Sequence, residues 1–110
     1  MNRVQPSVKS IFLNAMHTKR KVLIRFYSND DRTILSRVCA PMDYGPSRRS
    51  KDLSDRFHLW DFSSDVQAHT LSLNINQIVS IEQLSDAFDP SQFVSWKPKW
   101  TVPRNWGIFS

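Results

Sequence analysis

The C-terminal segment interleaves basic and aromatic residues more densely than the rest of the sequence. Residues 96–106 read W-K-P-K-W-T-V-P-R-N-W. Indole rings can stack on nucleobases while cationic side chains neutralise the phosphates between them, so Lys97 and Trp100 are candidate nucleic-acid contacts. The same segment could instead cover the core or dock a protein. For the tail, we favour these two interpretations taken together over nucleic-acid binding.

A second group of basic residues lies in the middle of the chain. Residues 43–55 contain Gly45, Pro46 and several serines, and they predict a long mobile loop. Cations on such a loop can reach phosphates that a rigid face would miss. The candidate ligand contacts in this loop are Arg48, Arg49 and Lys51.

The sequence carries no catalytic or metal-binding motif. Gly45 and Gly107 are its only glycines, which excludes a dinucleotide fingerprint and a P-loop. The histidines and Cys39 share no short metal-ligand spacing. His58 and His69 fall on two strands that we predict to pair, where filling or edging a sheet is the commoner role. We therefore predict a protein that is not an enzyme and that uses no cofactor and no metal.

Charge and composition favour a basic protein of the cytoplasm. The 110 residues carry a formal net charge of +5, and none of the first 29 is acidic. This excess suits a polyanionic partner, although a solvated basic face explains it equally well. The lone Cys39 indicates a reducing compartment. Because the sequence has no signal-peptide core and no run of about 18 apolar residues, we expect no membrane partner.

The hydrophobic pattern predicts a single mainly β (α+β) domain over residues 1–110. Apolar residues recur at helical spacing behind Ser7, which is placed to cap a helix. Later runs rich in β-branched and aromatic residues predict two antiparallel hairpins and a final strand, with Pro41 at the end or edge of one strand. The predicted elements are a helix over 7–18, paired strands over 21–27 and 33–41, paired strands over 56–62 and 67–73, and a short turn and last strand within 75–84.

These elements predict a small twisted sheet that curls toward a barrel, with the N-terminal helix packed beside it. The remaining residues, 85–110, hold three of the four tryptophans among several prolines. Proline disfavours regular structure, and this much aromatic area is rarely left in solvent. We therefore expect an irregular tail that wraps over apolar surface.

The order of the segments over roughly residues 8–84 resembles a WYL domain. The helix is followed by KVLIRFYSNDDRT, a strand that ends in Pro-Met, FHLWDF, and HTLSLNINQIVSIEQL. At the family's Trp-Tyr-Leu motif this sequence has Phe57, His58 and Leu59, and at the family's Arg-Ile turn it has Gln77 and Ile78.

The resemblance implies an Sm-like or SH3-like β-barrel, typically a bacterial regulatory module that senses a nucleic acid or nucleotide. In the family this module usually follows a winged helix-turn-helix domain, and one helix before the sheet cannot form that motif. Gln77 lacks the charged fork of the family's arginine, which moves the expected binding surface outward to the loop and tail. The residues to test first at the usual ligand site are Arg25, Tyr27, His58, Trp60, His69 and Gln77.

Two functions follow from the sequence. The first is a binding module for single-stranded nucleic acid or a nucleotide-like ligand, which uses the basic and aromatic residues named above. The alternative is a protein–protein interaction or self-association module that uses the tail.

Overall fold

One helix and five antiparallel strands form the body of the part of the chain that the structure describes. The computed structural model describes residues 7–47, 52–63 and 70–110. The elements in this part of the chain are α1 (Val8–Thr18), β1 (Arg20–Ser28), β2 (Thr33–Pro46), β3 (Asp55–Asp61), β4 (Thr70–Leu73) and β5 (Ile78–Ala87), with 3₁₀ turns at Ile75–Gln77, Pro90–Gln92 and Gly107–Phe109.

Helix α1 confirms the predicted helix and its cap. The Ser7 hydroxyl oxygen accepts a hydrogen bond from the Ser10 amide at 3.0 Å, which satisfies one of the free donors at the helix start. The helix buries Phe12, Ala15 and Met16 on the face that packs against the sheet. It ends at Lys19, which adopts a left-handed conformation (φ 55°).

The strands form a sheet in the order β4-β3-β2-β1-β5, with every neighbouring pair antiparallel. The predicted hairpin partners β1–β2 and β3–β4 are confirmed, and so are the turn at Ile75–Gln77 and the last strand after it. Strand β5 returns to pair with β1, so β4 and β5 lie at opposite edges. Within the described residues no pairing joins these two edges, and the sheet is open.

Strand β2 is longer than predicted, and the predicted loop is wrong for its first residues. It continues to Pro46, so the first residues of the predicted 43–55 loop pair with β3. Pro41 does not end the strand. It lies beyond the last pair with β1, Val22 with Cys39, so β1 needs no amide from it. Position 45 in β2 requires glycine, because a Cβ there would lie 2.9 Å from the Thr101 methyl group.

The buried residues of the described ranges form two adjoining apolar clusters. In the first, α1 covers one face of the sheet, and Phe12 meets Phe57 edge to face at 5.1 Å between ring centroids. The second cluster lies under the tail, which has no helix or strand in residues 88–110 beyond its 3₁₀ turns. Its buried members are Met16, Ala40, Met42, Phe88, Phe93, Val94 and Trp106.

The second cluster confirms that the irregular tail wraps over apolar surface, although β5 extends to Ala87 and shortens the tail by three residues. In the described ranges no helix is long and apolar enough to cross a membrane.

Candidate ligand-binding cleft

A cleft of about 630 Å³ separates the tail from the β3–β4 side of the sheet. Its volume falls within the roughly 300–1,000 Å³ typical of small-molecule and cofactor sites. Strands β2, β3 and β4 supply one wall, and the tail supplies the other. The lining residues are Met42, Asp43, Pro46, Ser47, His58, Thr70, Ser72, Trp96, Lys97, Lys99, Trp100 and Thr101.

The Asp43 carboxylate fastens the tail wall to the sheet. It lies where β2 bulges between Pro41 and Asp43. One carboxylate oxygen accepts the Thr101 amide at 2.8 Å, and the other accepts the Val102 amide at 3.0 Å and an Arg104 N–H at 3.1 Å. This single side chain therefore satisfies three donors of the tail.

Arg104 is the second half of this fastening. Its side chain is fully buried, and it donates to the carbonyls of Met42 and Val102 as well as to Asp43. The guanidinium lies 4.2 Å from the Trp100 ring centre and 4.5 Å from that of Trp106. Burial lowers the pKa of Arg104 to about 10, while the Asp43 carboxylate acts in the opposite direction.

Indole N–H groups complete the attachment of the tail. The Trp106 Nε1–H donates to the Met16 carbonyl near the end of α1 at 2.9 Å. The Trp100 Nε1–H donates to the Phe109 carbonyl at 2.7 Å. These side chains, with Arg104, thus hold the tail in place, and one face of Trp100 is covered by the guanidinium.

His58 stands on the strand wall in a fixed orientation. Its Nε2 lies 2.9 Å from the Gly45 carbonyl and its Nδ1 lies 2.8 Å from the Ser72 hydroxyl. A carbonyl only accepts, so Nε2 carries a proton and donates it to Gly45, while the Ser72 hydroxyl can either donate to Nδ1 or accept from it. Both ring nitrogens are engaged, which leaves His58 no nitrogen for a substrate unless one of these bonds breaks.

The opposite wall is cationic and aromatic. Lys97 and Lys99 are exposed and line the cleft. Trp96 is 48% exposed, and its ring centre lies 6.2 Å from that of Trp100 in an edge-to-face arrangement. Asp43 is the acidic residue among the lining side chains, and it is paired with Arg104. Lysine and indole side chains beside a neutralised carboxylate suit an anionic ligand with an aromatic group.

The structure brings together three of the predicted site residues. His58, Lys97 and Trp100 all line the cleft. Trp60 does not: its ring stacks on Phe93 at 5.7 Å between centroids and helps to hold the tail on the sheet. Four predicted residues lie outside the described part of the chain: Arg48, Arg49, Lys51 and His69.

The other predicted residues form a separate surface. Arg25 and Tyr27 are exposed on β1, two strands away from His58. The Gln77 side chain donates to the Tyr27 carbonyl at 3.2 Å and accepts the Asn74 amide at 3.0 Å, so its amide joins β1 to the 3₁₀ turn. None of these three residues lines the cleft.

Nine of the twelve lining residues were not predicted as site residues, and Trp96, Lys99, Thr70 and Ser72 are four of them. Trp96 and Lys99 belong to the basic and aromatic segment, and their position beside Lys97 and Trp100 was a usable signal. Thr70 and Ser72 had no such signal. They reach the cleft because β4 pairs with β3 in a register that sets Ser72 opposite His58.

The described residues give little support for metal binding or for catalysis by a cysteine nucleophile. No three His, Cys, Asp or Glu residues among them are grouped to hold a metal ion. Cys39 is buried, and burial raises the pKa of its thiol, with Asp61 adding to the effect. A thiol in that setting is a poor nucleophile.

Comparison of the chain with protein-family models, curated proteins and solved structures found no match.

Proposed function

We propose that this chain is a non-enzymatic binding module that takes a nucleic acid or nucleotide-like ligand into the tail cleft. The observation that carries the proposal is the pairing of a half-exposed indole, Trp96, with two cationic side chains, Lys97 and Lys99, in one cleft. The cleft's carboxylate, Asp43, is neutralised by Arg104, so it does not repel phosphate. Stacking and charge are the two means by which proteins bind nucleic acid without reading its sequence.

The proposal includes the resemblance to a WYL regulatory module with an Sm-like barrel. Its support is the strand order, in which β1 lies between β2 and β5 and a 3₁₀ turn precedes the last strand. Barrel closure would bring the two open edges, β4 and β5, together. The ligand surface of this chain differs from the one that the resemblance implies, because Gln77 is bonded to backbone and the cleft lies on the tail side.

The state of the candidate nucleophile and base in the described residues supports a non-enzymatic role. Both ring nitrogens of His58 are bonded within the protein. The Cys39 thiol is buried and protonated. A nucleophile and base pair needs an accessible nucleophile beside a base with a free lone pair.

Fluorescence anisotropy with labelled single-stranded RNA and DNA tests the proposal. We expect the intact chain to bind both, with an affinity that falls as salt rises from about 50 to 200 mM. Lys97→Gln should weaken binding. Lys9→Gln, which removes the same charge from the exposed face of α1 beside Tyr44, should not. Binding that is absent, or insensitive to salt, would overturn the proposal.

Protein docking or self-association through the tail is the second candidate. It is favoured by Ile108, which is 90% exposed, together with the exposed area of Trp96. Deletion of residues 94–110 cannot test it cleanly, because the deletion removes Val94 and Trp106 from the second apolar cluster. Sedimentation velocity of Ile108→Asp against the unaltered chain is the better test. An identical monomer in both would contradict self-association.

A further inference from the structure

Strand β5 is an edge of the sheet, and in the described residues one of its two sides has no partner strand. It pairs with β1 alone, so every second residue directs its backbone N–H and C=O groups away from the sheet. Register shifts interrupt the pairing with β1 toward both ends of the strand, and residues 80–83 between them pair regularly. These residues form a stretch of edge to which a further strand can be added.

A groove of about 640 Å³ lies beside this stretch, between β5 and helix α1. Ile11 on the helix and Ile81 on the strand are both half-buried and supply its apolar surface. The Asn14 side-chain amide donates to the Gln83 side-chain oxygen at 2.8 Å and joins the two walls. The lining is completed by Ser10 and Glu82. The groove can therefore take an apolar side chain from a strand that pairs with β5.

Side chains alternate between the two faces of the sheet along residues 80–83. Ile81 pairs with the buried Ile24 and packs against the first apolar cluster, so it faces α1. Glu82 pairs with Leu23 and falls on the other face. Side chains of an added strand would meet their cross-strand neighbours on the same face. The added strand thus needs an apolar residue beside Ile81 and a residue that suits a carboxylate beside Glu82.

The charge of Glu82 decides which strand fits this edge. Its side chain is exposed and takes part in no ion pair of the described residues. A lysine or arginine opposite it would be stabilising. A second copy of this chain is a poorer occupant, because two β5 strands paired about the centre of the groove would set one Glu82 carboxylate opposite the other. Like charges in that position are destabilising, so charge complementarity favours a basic strand.

We infer that the β5 edge is a docking site for an extended peptide segment of a protein partner, in which apolar residues alternate with lysine or arginine. The segment adds a sixth strand to the sheet, with its apolar side chains in the groove and its basic side chains beside Glu82. Backbone hydrogen bonds provide attachment, and the side chains provide selectivity. The tail cleft lies on the β4 side of the sheet, so this inference is independent of the proposed function.

The peptide Lys-Val-Lys-Val-Lys-Val is the probe, and it is titrated into the intact chain. NMR of the backbone amides of residues 80–83 reports binding at the edge separately from contacts elsewhere. We expect the affinity at this edge to exceed that of a matched peptide with glutamate in place of lysine by about fivefold or more. Glu82→Lys should abolish or reverse this preference. Asp30→Lys, which makes the same charge change at an exposed position of the β1–β2 turn, should not alter it.

N-methylation separates strand addition from simple attraction between side chains. In an added strand only every second amide faces β5. Two further peptides carry methyl groups on the valine amides or on the lysine amides, and both keep the side chains of the probe. We expect one of the two to lose binding at the edge. The outward amides of β5 should also exchange more slowly with solvent when the unmethylated peptide is bound.

Each contrary outcome removes a different part of the inference. Equal binding of the two methylated peptides would overturn strand addition. A lysine peptide that leaves the amides of residues 80–83 unchanged would overturn the site itself. A dimer in sedimentation velocity, with these amides already protected in the absence of peptide, would assign the edge to a second copy and also overturn the inference.

Discussion

The Arg104 guanidinium lies 3.1 Å from the Asp43 carboxylate and joins two segments that are 61 residues apart in the chain. Asp43 belongs to a central strand of the sheet, whereas Arg104 belongs to the irregular tail. The contact holds the tail close enough to the sheet to form a cleft, in which Lys97 and Lys99 are exposed. The ion pair thus gives Arg104 a structural role, whereas Lys97 and Lys99 line the cleft.

Removal of Arg104 should destabilise the fold strongly. In Arg104→Ala the Asp43 carboxylate loses its charged partner, and Trp100 and Trp106 lose the guanidinium that packs on their rings. We expect a loss of about 3–5 kcal/mol in the free energy of unfolding, measured by urea denaturation. The control is Asp52→Asn, which removes the charge of an exposed carboxylate from its ion pair with the half-buried Arg56 and should change stability much less. Equal stability of the Arg104→Ala variant and the unaltered chain would contradict this role.

The Cys39 thiol should resist alkylation in the folded protein. It is buried on β2, and burial raises the pKa of the thiol, so little thiolate forms near neutral pH. We expect labelling by iodoacetamide at about pH 8 to be slow in the native state and to become fast in denaturant. Mass spectrometry follows the modification. Rapid labelling under native conditions would show that this part of the sheet opens readily.

The Asp89 cap should make stability depend on pH in the acidic range. Its carboxylate accepts the Ser91 amide at 3.0 Å, and this hydrogen bond, with a smaller effect of Lys19, lowers the pKa of the carboxyl group. Because the folded-state pKa lies below the unfolded-state value, the carboxylate stabilises the fold above about pH 4. That contribution is lost as the pH falls through the folded-state pKa.

Thermal denaturation of Asp89→Ala against the unaltered chain measures this dependence. We expect the variant to be less stable at neutral pH and the difference to narrow below about pH 4. Asp89→Asn is the control, because its amide oxygen can cap the turn without titrating. A difference from Asp89→Ala that stays constant down to about pH 2 would show that the charge of Asp89 contributes nothing.

Local sequence signals predicted most of the fold. The cap at Ser7, the alternating apolar residues of β1 and β3, and the turn before Ile78 are each fixed by neighbours in the sequence. The prediction of a loop was wrong for residues 43–46, because Gly45 and Pro46 usually indicate a loop. Their strand depends on pairing with β3, and the glycine is needed for the close approach of Thr101, a contact that no local pattern reveals.

The candidate site was predicted less completely, because it is assembled from distant parts of the chain. The sequence identified Lys97, Trp100 and His58 as separate candidates, and only the fold places them in one cleft. An arginine in a basic and aromatic segment such as the tail usually indicates a phosphate contact, but Arg104 is buried against Asp43. Its ion-pair partner Asp43 could not be identified from the sequence, because Asp43 lies in a segment that was predicted to be a loop.

The most direct test of the central claim is NMR mapping of the indole N–H signals during titration with a short single-stranded oligonucleotide. We expect the signals of the Trp96 indole and of the backbone amides of Lys97 and Ser72 to shift, while the signal of the Trp106 indole, which donates to the Met16 carbonyl, stays unchanged. Shifts confined to the surface of Arg25, Tyr27 and Gln77, or no shifts at all, would contradict ligand binding in the tail cleft.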